Sequence, residues 1–161
     1  MKLGLSFVLF SGWVIAADND LPEFSSYTVP QSDAILENVD FTSHPDAINF
    51  KTRLEYVLNQ SENFAGHYIV TYWGCGTMCQ MVAILDVLTG DVFFPFTTSY
   101  GVCYKLDSSL LITNPVDDFL IESFGEEILD WFKAGYYAWN GQEMELLTET
   151  QMPVTEDCEA L

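Results

Sequence analysis

Side chains that commonly do chemistry are scarce in this chain. Its 161 residues include two histidines and four cysteines, against 24 aspartates and glutamates. His44 sits in Ser43-His44-Pro45-Asp46, a helix-start pattern, which makes it a cap-region residue rather than a base. His67 stands between Gly66 and Tyr68 at the head of an apolar run, where an imidazole is more often packed or hydrogen-bonded than catalytic. No Gly-x-Ser-x-Gly elbow, phosphate loop or His-Glu-x-x-His helix occurs, so no catalytic residue and no cofactor is assigned. Paired acids could cleave a glycosidic bond, but that chemistry depends on the separation of two carboxylates. With 24 acids the sequence offers no way to choose a pair.

The cysteines point to cross-links. Cys75 and Cys79 fall within Gly74-Cys75-Gly76-Thr77-Met78-Cys79, while Cys103 and Cys158 stand alone. This spacing fits neither a zinc finger nor the Cys-x-x-Cys redox motif. Asp117-Asp118 and Asp18-x-Asp20 lack a full calcium loop, so no metal is assigned. Four cysteines allow three disulfide connectivities. Closeness in sequence favours Cys75 with Cys79, and elimination then leaves Cys103 with Cys158, which would tie the C-terminal segment to the body.

The first of these pairs lies in the candidate binding loop, formed by Trp73, Gly74, Gly76, Thr77, Met78 and Gln80. Two glycines permit a sharp turn and a disulfide would stiffen it. Trp73 and Met78 would then be anchors already held in place, which bind with less entropy loss. The plainer alternative is a stapled strand connection with Trp73 in the core.

Elements that could position these residues follow from periodicity. Residues 1–16 form a secretory leader pattern: Lys2, an apolar run from Leu3 to Ile15, then small residues ending at Ala16. The run is shorter than the roughly 20 apolar residues of a membrane span, so no anchor is expected after cleavage. Residues 17–161 are expected to form a single domain. An extended arm over 17–42 carries Pro22 and Pro30, and an amphipathic helix over 46–60 presents Phe50, Leu54, Val57 and Leu58. Tyr68, Val70 and Tyr72 alternate with Ile69 and Trp73, and bulk on both faces predicts a central strand. Strands follow over 81–87, 92–96, 102–106 and 110–113. Pro115 opens a helical insertion whose inward face is expected to carry Leu120, Phe124, Ile128 and Phe132, with Trp131 beside it and Gly125 as a break. Asn140-Gly141 predicts a two-residue type I′ hairpin turn. An acidic tail is expected over 149–161. The fold class is therefore α+β, an antiparallel β-sheet of about five to seven strands with an N-terminal amphipathic helix and a late helical insertion.

Charge bounds the partners. The formal net charge is −19, with five lysines and arginines. Nucleic acid and anionic membrane surfaces would repel such a chain, whereas a basic protein would be drawn to it. The acids are spread along the chain, which also suits simple solubility in a salty medium.

Five segments together resemble a family of small secreted bacterial proteins that share a Trp-Gly-Cys-Gly-Thr-x-Cys element and have no assigned function. They are Phe64-x-Gly66-x-Tyr68, Trp73-Gly74-Cys75-Gly76-Thr77-x-Cys79, Asp86-x-x-Thr89-Gly90, Leu106-Asp107-Ser108-x-Leu110-Leu111 and Tyr136-Tyr137-x-Trp139-Asn140-Gly141. The likeness spans residues 60–148. It implies export and a Cys75–Cys79 pair, and it carries no catalytic residue across. A weaker likeness is to periplasmic lysozyme inhibitors with a Ser-Gly-x-x-Tyr loop. Here Ala65-Gly66-His67-Tyr68 lacks the serine and is one residue short.

These features lead to an expectation of an exported acidic binding or inhibitory protein, periplasmic or secreted, acting on a basic envelope or extracellular protein. The alternatives are a cell-wall hydrolase using acidic residues and a structural envelope protein.

Overall fold

The structure is a computed structural model and describes residues 21–154 and 158. The leader expected over 1–16 lies outside the described residues.

The architecture is α+β, but its strands form two antiparallel sheets of four rather than one larger sheet. Sheet 1 comprises β1 (Tyr68–Gly76), β2 (Cys79–Asp86), β3 (Val92–Phe93) and β4 (Thr97–Thr98), with both β3 and β4 paired to β2. Sheet 2 is a meander of β5 (Val102–Tyr104), β6 (Leu110–Thr113), β7 (Ala134–Trp139) and β8 (Met144–Thr150). The chain changes sheets at 99–101, where Gly101 has φ +74°. That conformation suits glycine because it has no Cβ.

Three layers of core result, because each strand sends alternate side chains to opposite faces. Between the sheets, Val70, Val82 and Ile84 of sheet 1 meet Val102, Leu111 and Trp139 of sheet 2. The outer face of sheet 1 carries Ile69, Ala83 and Leu85, covered by Leu36, Leu54 and Val57. The outer face of sheet 2 carries Cys103, Leu110, Ile112 and Tyr136, covered by Phe24 and Val154. Both faces of β1 are therefore covered although it lies at the edge of its sheet, with β2 as its partner strand. The expected central position is corrected: bulk on both faces reports two covered faces, not two neighbouring strands.

The N-terminal arm straps the layers together. Phe24 is buried against sheet 2, and Val29 donates its backbone N–H to Asp107 at 2.9 Å. Further on, Ser32 donates to Gly66 at 2.8 Å, and Leu36 is buried under sheet 1.

The predicted helix over 46–60 is shorter than its pattern. A 3₁₀ turn, Ala47–Phe50, leads into α1 (Lys51–Glu55). Ser43 does not cap it; its hydroxyl donates to the Asp40 carbonyl and accepts from the Val92 N–H. Asn59, with φ +64°, lies just beyond. Leu54 and Val57 are nevertheless buried, as their spacing requires.

The β7–β8 turn also departs from expectation. Trp139 pairs with Met144 and the Asn140 N–H donates to the Glu143 carbonyl at 3.3 Å, so the turn centres on Gly141-Gln142 rather than on Asn140-Gly141. The Asn140 side-chain oxygen accepts from the N–H groups of Gln142 and Glu143, both at 3.0 Å, and this Asx arrangement accompanies the shifted turn. The acidic segment from 149 begins inside β8, and Val154 beyond it is buried.

Candidate protein-binding surface

The expected binding loop is the tip of the β1–β2 hairpin. Gly74 pairs with Gln80 and Gly76 with Cys79, leaving Cys75 as an extra, bulged residue. A disulfide joins Cys75 to Cys79 with Cα atoms 5.1 Å apart. Thr77 and Met78 make the turn, Met78 at φ +53°. The two side chains chosen as anchors diverge. Met78 is 52% exposed, whereas Trp73 is half-buried, its ring 5.2 Å from Phe50 and 6.3 Å from Phe94. Gln80 faces inward, accepting the Gly101 N–H at 2.6 Å and so linking sheet 1 to the crossover. The tip thus offers Gly74, Thr77 and Met78 to solvent, a small apolar area.

The second disulfide joins Cys103 on β5 to Cys158, also with Cα atoms 5.1 Å apart. Two disulfides suit an oxidising, extracytoplasmic setting. No helix among the described residues is long and apolar enough to cross a membrane.

Each histidine has local partners. The His44 Nδ1 accepts the Asp46 N–H at 3.1 Å, a cap-region bond. The His67 Nε2 lies 3.8 Å from the Asp86 carboxylate, and its ring stacks on Tyr68 at 4.2 Å. Asp40 is held below its ordinary carboxylate value by the Thr42 hydroxyl and N–H. That direction is opposite to what a general acid needs.

A larger exposed surface lies on the insertion between β6 and β7. Its first helix, α2 (Asp118–Phe124), starts where the Asp117 carboxylate accepts the Leu120 N–H at 2.9 Å. Gly125, at φ +83°, ends it by donating to the Ile121 carbonyl. The second, α3 (Ile128–Trp131), follows directly. The break at Gly125 divides the repeat, and the expected inward stripe forms only in part, with Ile128 and Phe132 half-buried. Leu120 is buried, but Phe119 is 71% exposed, Phe124 69% and Trp131 74%. Lone exposed apolar residues are ordinary; three large aromatics on one helical pair make this a candidate interaction surface.

These helices frame a shallow depression of about 320 Å³ lined by Tyr100, Phe124, Ile128, Trp131 and Phe132, with Glu127 as its acid. Tyr100 comes from the crossover between the sheets, and its ring lies 5.5 Å from that of Phe132. Glu122 on α2, Glu126 in the turn between the helices and Asp130 on α3 are exposed. The result is an aromatic patch with an acidic margin.

Sequence reasoning placed Phe124, Ile128 and Phe132 in the core because a four-residue repeat ordinarily faces inward. The available signal was Gly125 followed by Glu126-Glu127, which interrupts the repeat with charge. The contribution of Tyr100 had no local signal.

The hydrolase alternative needs two carboxylates facing one bond. The aromatic depression brings one, and a cleft at the junction of the sheets also brings one, Glu143. Comparison of the chain with protein-family profiles, curated proteins and solved structures returned no match.

Proposed function

We propose that this chain is an exported acidic binding or inhibitory protein of the bacterial periplasm or exterior, and that α2 and α3 carry its main contact surface. The observation behind this reading is the exposure of Phe119, Phe124 and Trp131 beside Glu122, Glu126, Glu127 and Asp130. Aromatic anchors supply most of the affinity at interfaces of this kind, and surrounding charge sets partner and encounter rate. An acidic margin on a chain of net charge −19 selects a basic partner. A basic cell-wall-degrading enzyme or a basic toxin fits, and inhibition would follow if the patch covered its active cleft. The stapled tip with Thr77 and Met78 is a second, smaller contact in this reading. The resemblance to secreted proteins with the Trp-Gly-Cys-Gly-Thr-x-Cys element agrees with the exported setting.

The test is to titrate the mature protein into a panel of basic lysozymes and secreted toxins while following their activity and binding. The expected result is saturable binding to one member, weakened at high salt and by Trp131→Ser. Absence of binding across the panel, or binding indifferent to both salt and Trp131→Ser, would sink this reading.

A further inference from the structure

A second concavity, of about 540 Å³, lies where the two sheets meet. One wall is β3 and the segment after it; the other is the β7–β8 hairpin. Phe93, Phe94, Phe96 and Tyr137 are among its lining residues, Phe93 also packing on Trp139 and Phe94 on Phe50. Each is half-buried, so protein holds one part of the ring and another part is accessible. The rings of Phe96 and Tyr137 approach to 4.9 Å across the junction. Burial, followed by the nearby Glu149, pushes the Tyr137 phenol above its ordinary value, which keeps it neutral.

The polar part of the lining has a definite charge. His44 sits edge-on to Phe94 at 5.0 Å. Its Nδ1 accepts the Asp46 N–H at 3.1 Å. Gln142 is neutral. Glu143 is the acidic residue of the lining, which holds no lysine or arginine. An anion finds no cation here. A neutral apolar ligand would make no use of Glu143. Ring faces attract cations through their quadrupoles, and a carboxylate beside them adds to that attraction. The net charge of −19 raises the local concentration of cations further.

We propose that this cleft binds a small organic cation, an alkylated ammonium group. The rings take the methyl-bearing head and Glu143 faces its charge. The site is separate from the aromatic patch on α2 and α3, and the inference does not depend on the function proposed above.

The experiment is a backbone-amide NMR titration of the mature protein with choline and tetramethylammonium. The controls are sodium chloride and 3,3-dimethylbutanol, the uncharged carbon analogue of choline. Saturable shifts confined to residues 93–96, 137 and 142–144 are expected with both cations and with neither control. Glu143→Gln, a change at an exposed side chain, is expected to weaken choline binding by about three- to tenfold. Co-sedimentation with phosphatidylcholine vesicles would assign the cation to a lipid headgroup, and its absence to a free amine. Three results overturn the proposal: no saturable shift with either cation, equal affinity for 3,3-dimethylbutanol, or a Glu143→Gln variant that binds choline as tightly as the parent.

Discussion

The side-chain oxygen of Asn114 accepts the backbone N–H of Tyr100 at 2.8 Å. The same oxygen takes the Ser99 N–H at 2.9 Å and the Thr98 hydroxyl at 2.7 Å. Its amide nitrogen donates to the Lys133 carbonyl at 3.2 Å. One carboxamide at the end of β6 thus ties the crossover between the sheets to the segment that enters β7. It holds Tyr100 beside Phe132, and so connects the packing of the sheets to the shape of the aromatic patch.

Asn114→Ala should be strongly destabilising for its size. The Ser99 and Tyr100 N–H groups would lose their acceptor, at about 1–3 kcal/mol for each that stays buried and unpaired, while the Thr98 hydroxyl keeps the Gly101 carbonyl. A loss of about 2–4 kcal/mol in denaturant unfolding is expected. A loss below about 0.5 kcal/mol, the range of ordinary surface changes, would show that water replaces the carboxamide without penalty.

Gly90→Ala tests the strap. Gly90 has φ +82°, and an added Cβ would lie 2.7 Å from the Asn38 carbonyl oxygen. Its own carbonyl accepts the Asp40 N–H at 2.8 Å, so the turn cannot move freely. Backbone strain of this kind costs about 1–3 kcal/mol, before the clash is counted. Thermal unfolding of the variant measures it.

The two disulfides should differ in weight. Cys103–Cys158 closes a separation of 55 residues and Cys75–Cys79 a separation of 4. Loop-closure entropy predicts about 4 kcal/mol for the first and about 2 kcal/mol for the second. Paired Cys→Ser replacements, compared by urea unfolding, should preserve that order. The reverse order would mean that the hairpin staple supports more than its own turn.

Trp131 should be the most solvent-accessible tryptophan of the described residues, since Trp139 is buried and Trp73 half-buried. Trp131→Phe should remove the red-shifted, acrylamide-quenchable part of the emission and change stability by less than about 0.5 kcal/mol. An unchanged quenching profile would place Trp131 inside the protein and remove the aromatic patch.

Alkaline pH should weaken the fold through tyrosines. Burial is the leading cause that raises Tyr68, Tyr72 and Tyr137 above their ordinary value of 10.0. Asp86 adds to the effect at Tyr68, and Glu149 at Tyr137. A raised folded value means the native state holds the proton more tightly than the unfolded chain does. The resulting stability is fully present below pH 10 and is lost as pH rises through the folded values. Urea unfolding from pH 8 upward should show a decline beginning near pH 10, and Tyr→Phe changes should flatten it.

Local pattern made much of this legible. The β6 strand, Leu110–Thr113, coincides with its apolar run, and β1 and β2 follow theirs within a few residues. Closeness in sequence identified Cys75 with Cys79, and elimination identified Cys103 with Cys158. These features depend on neighbours in the chain, which a sequence displays directly. The sequence by itself therefore determined the α+β class, the disulfide pairs and the acidity. The tertiary structure alone decided that the strands divide between two sheets, that Trp73 packs on Phe50 and Phe94, and that Phe124 and Trp131 face solvent. Phe96 and Tyr137, separated by 41 positions, meet only because the sheets fold together. Periodicity is a property of one segment, whereas exposure depends on which surfaces the rest of the chain has already covered.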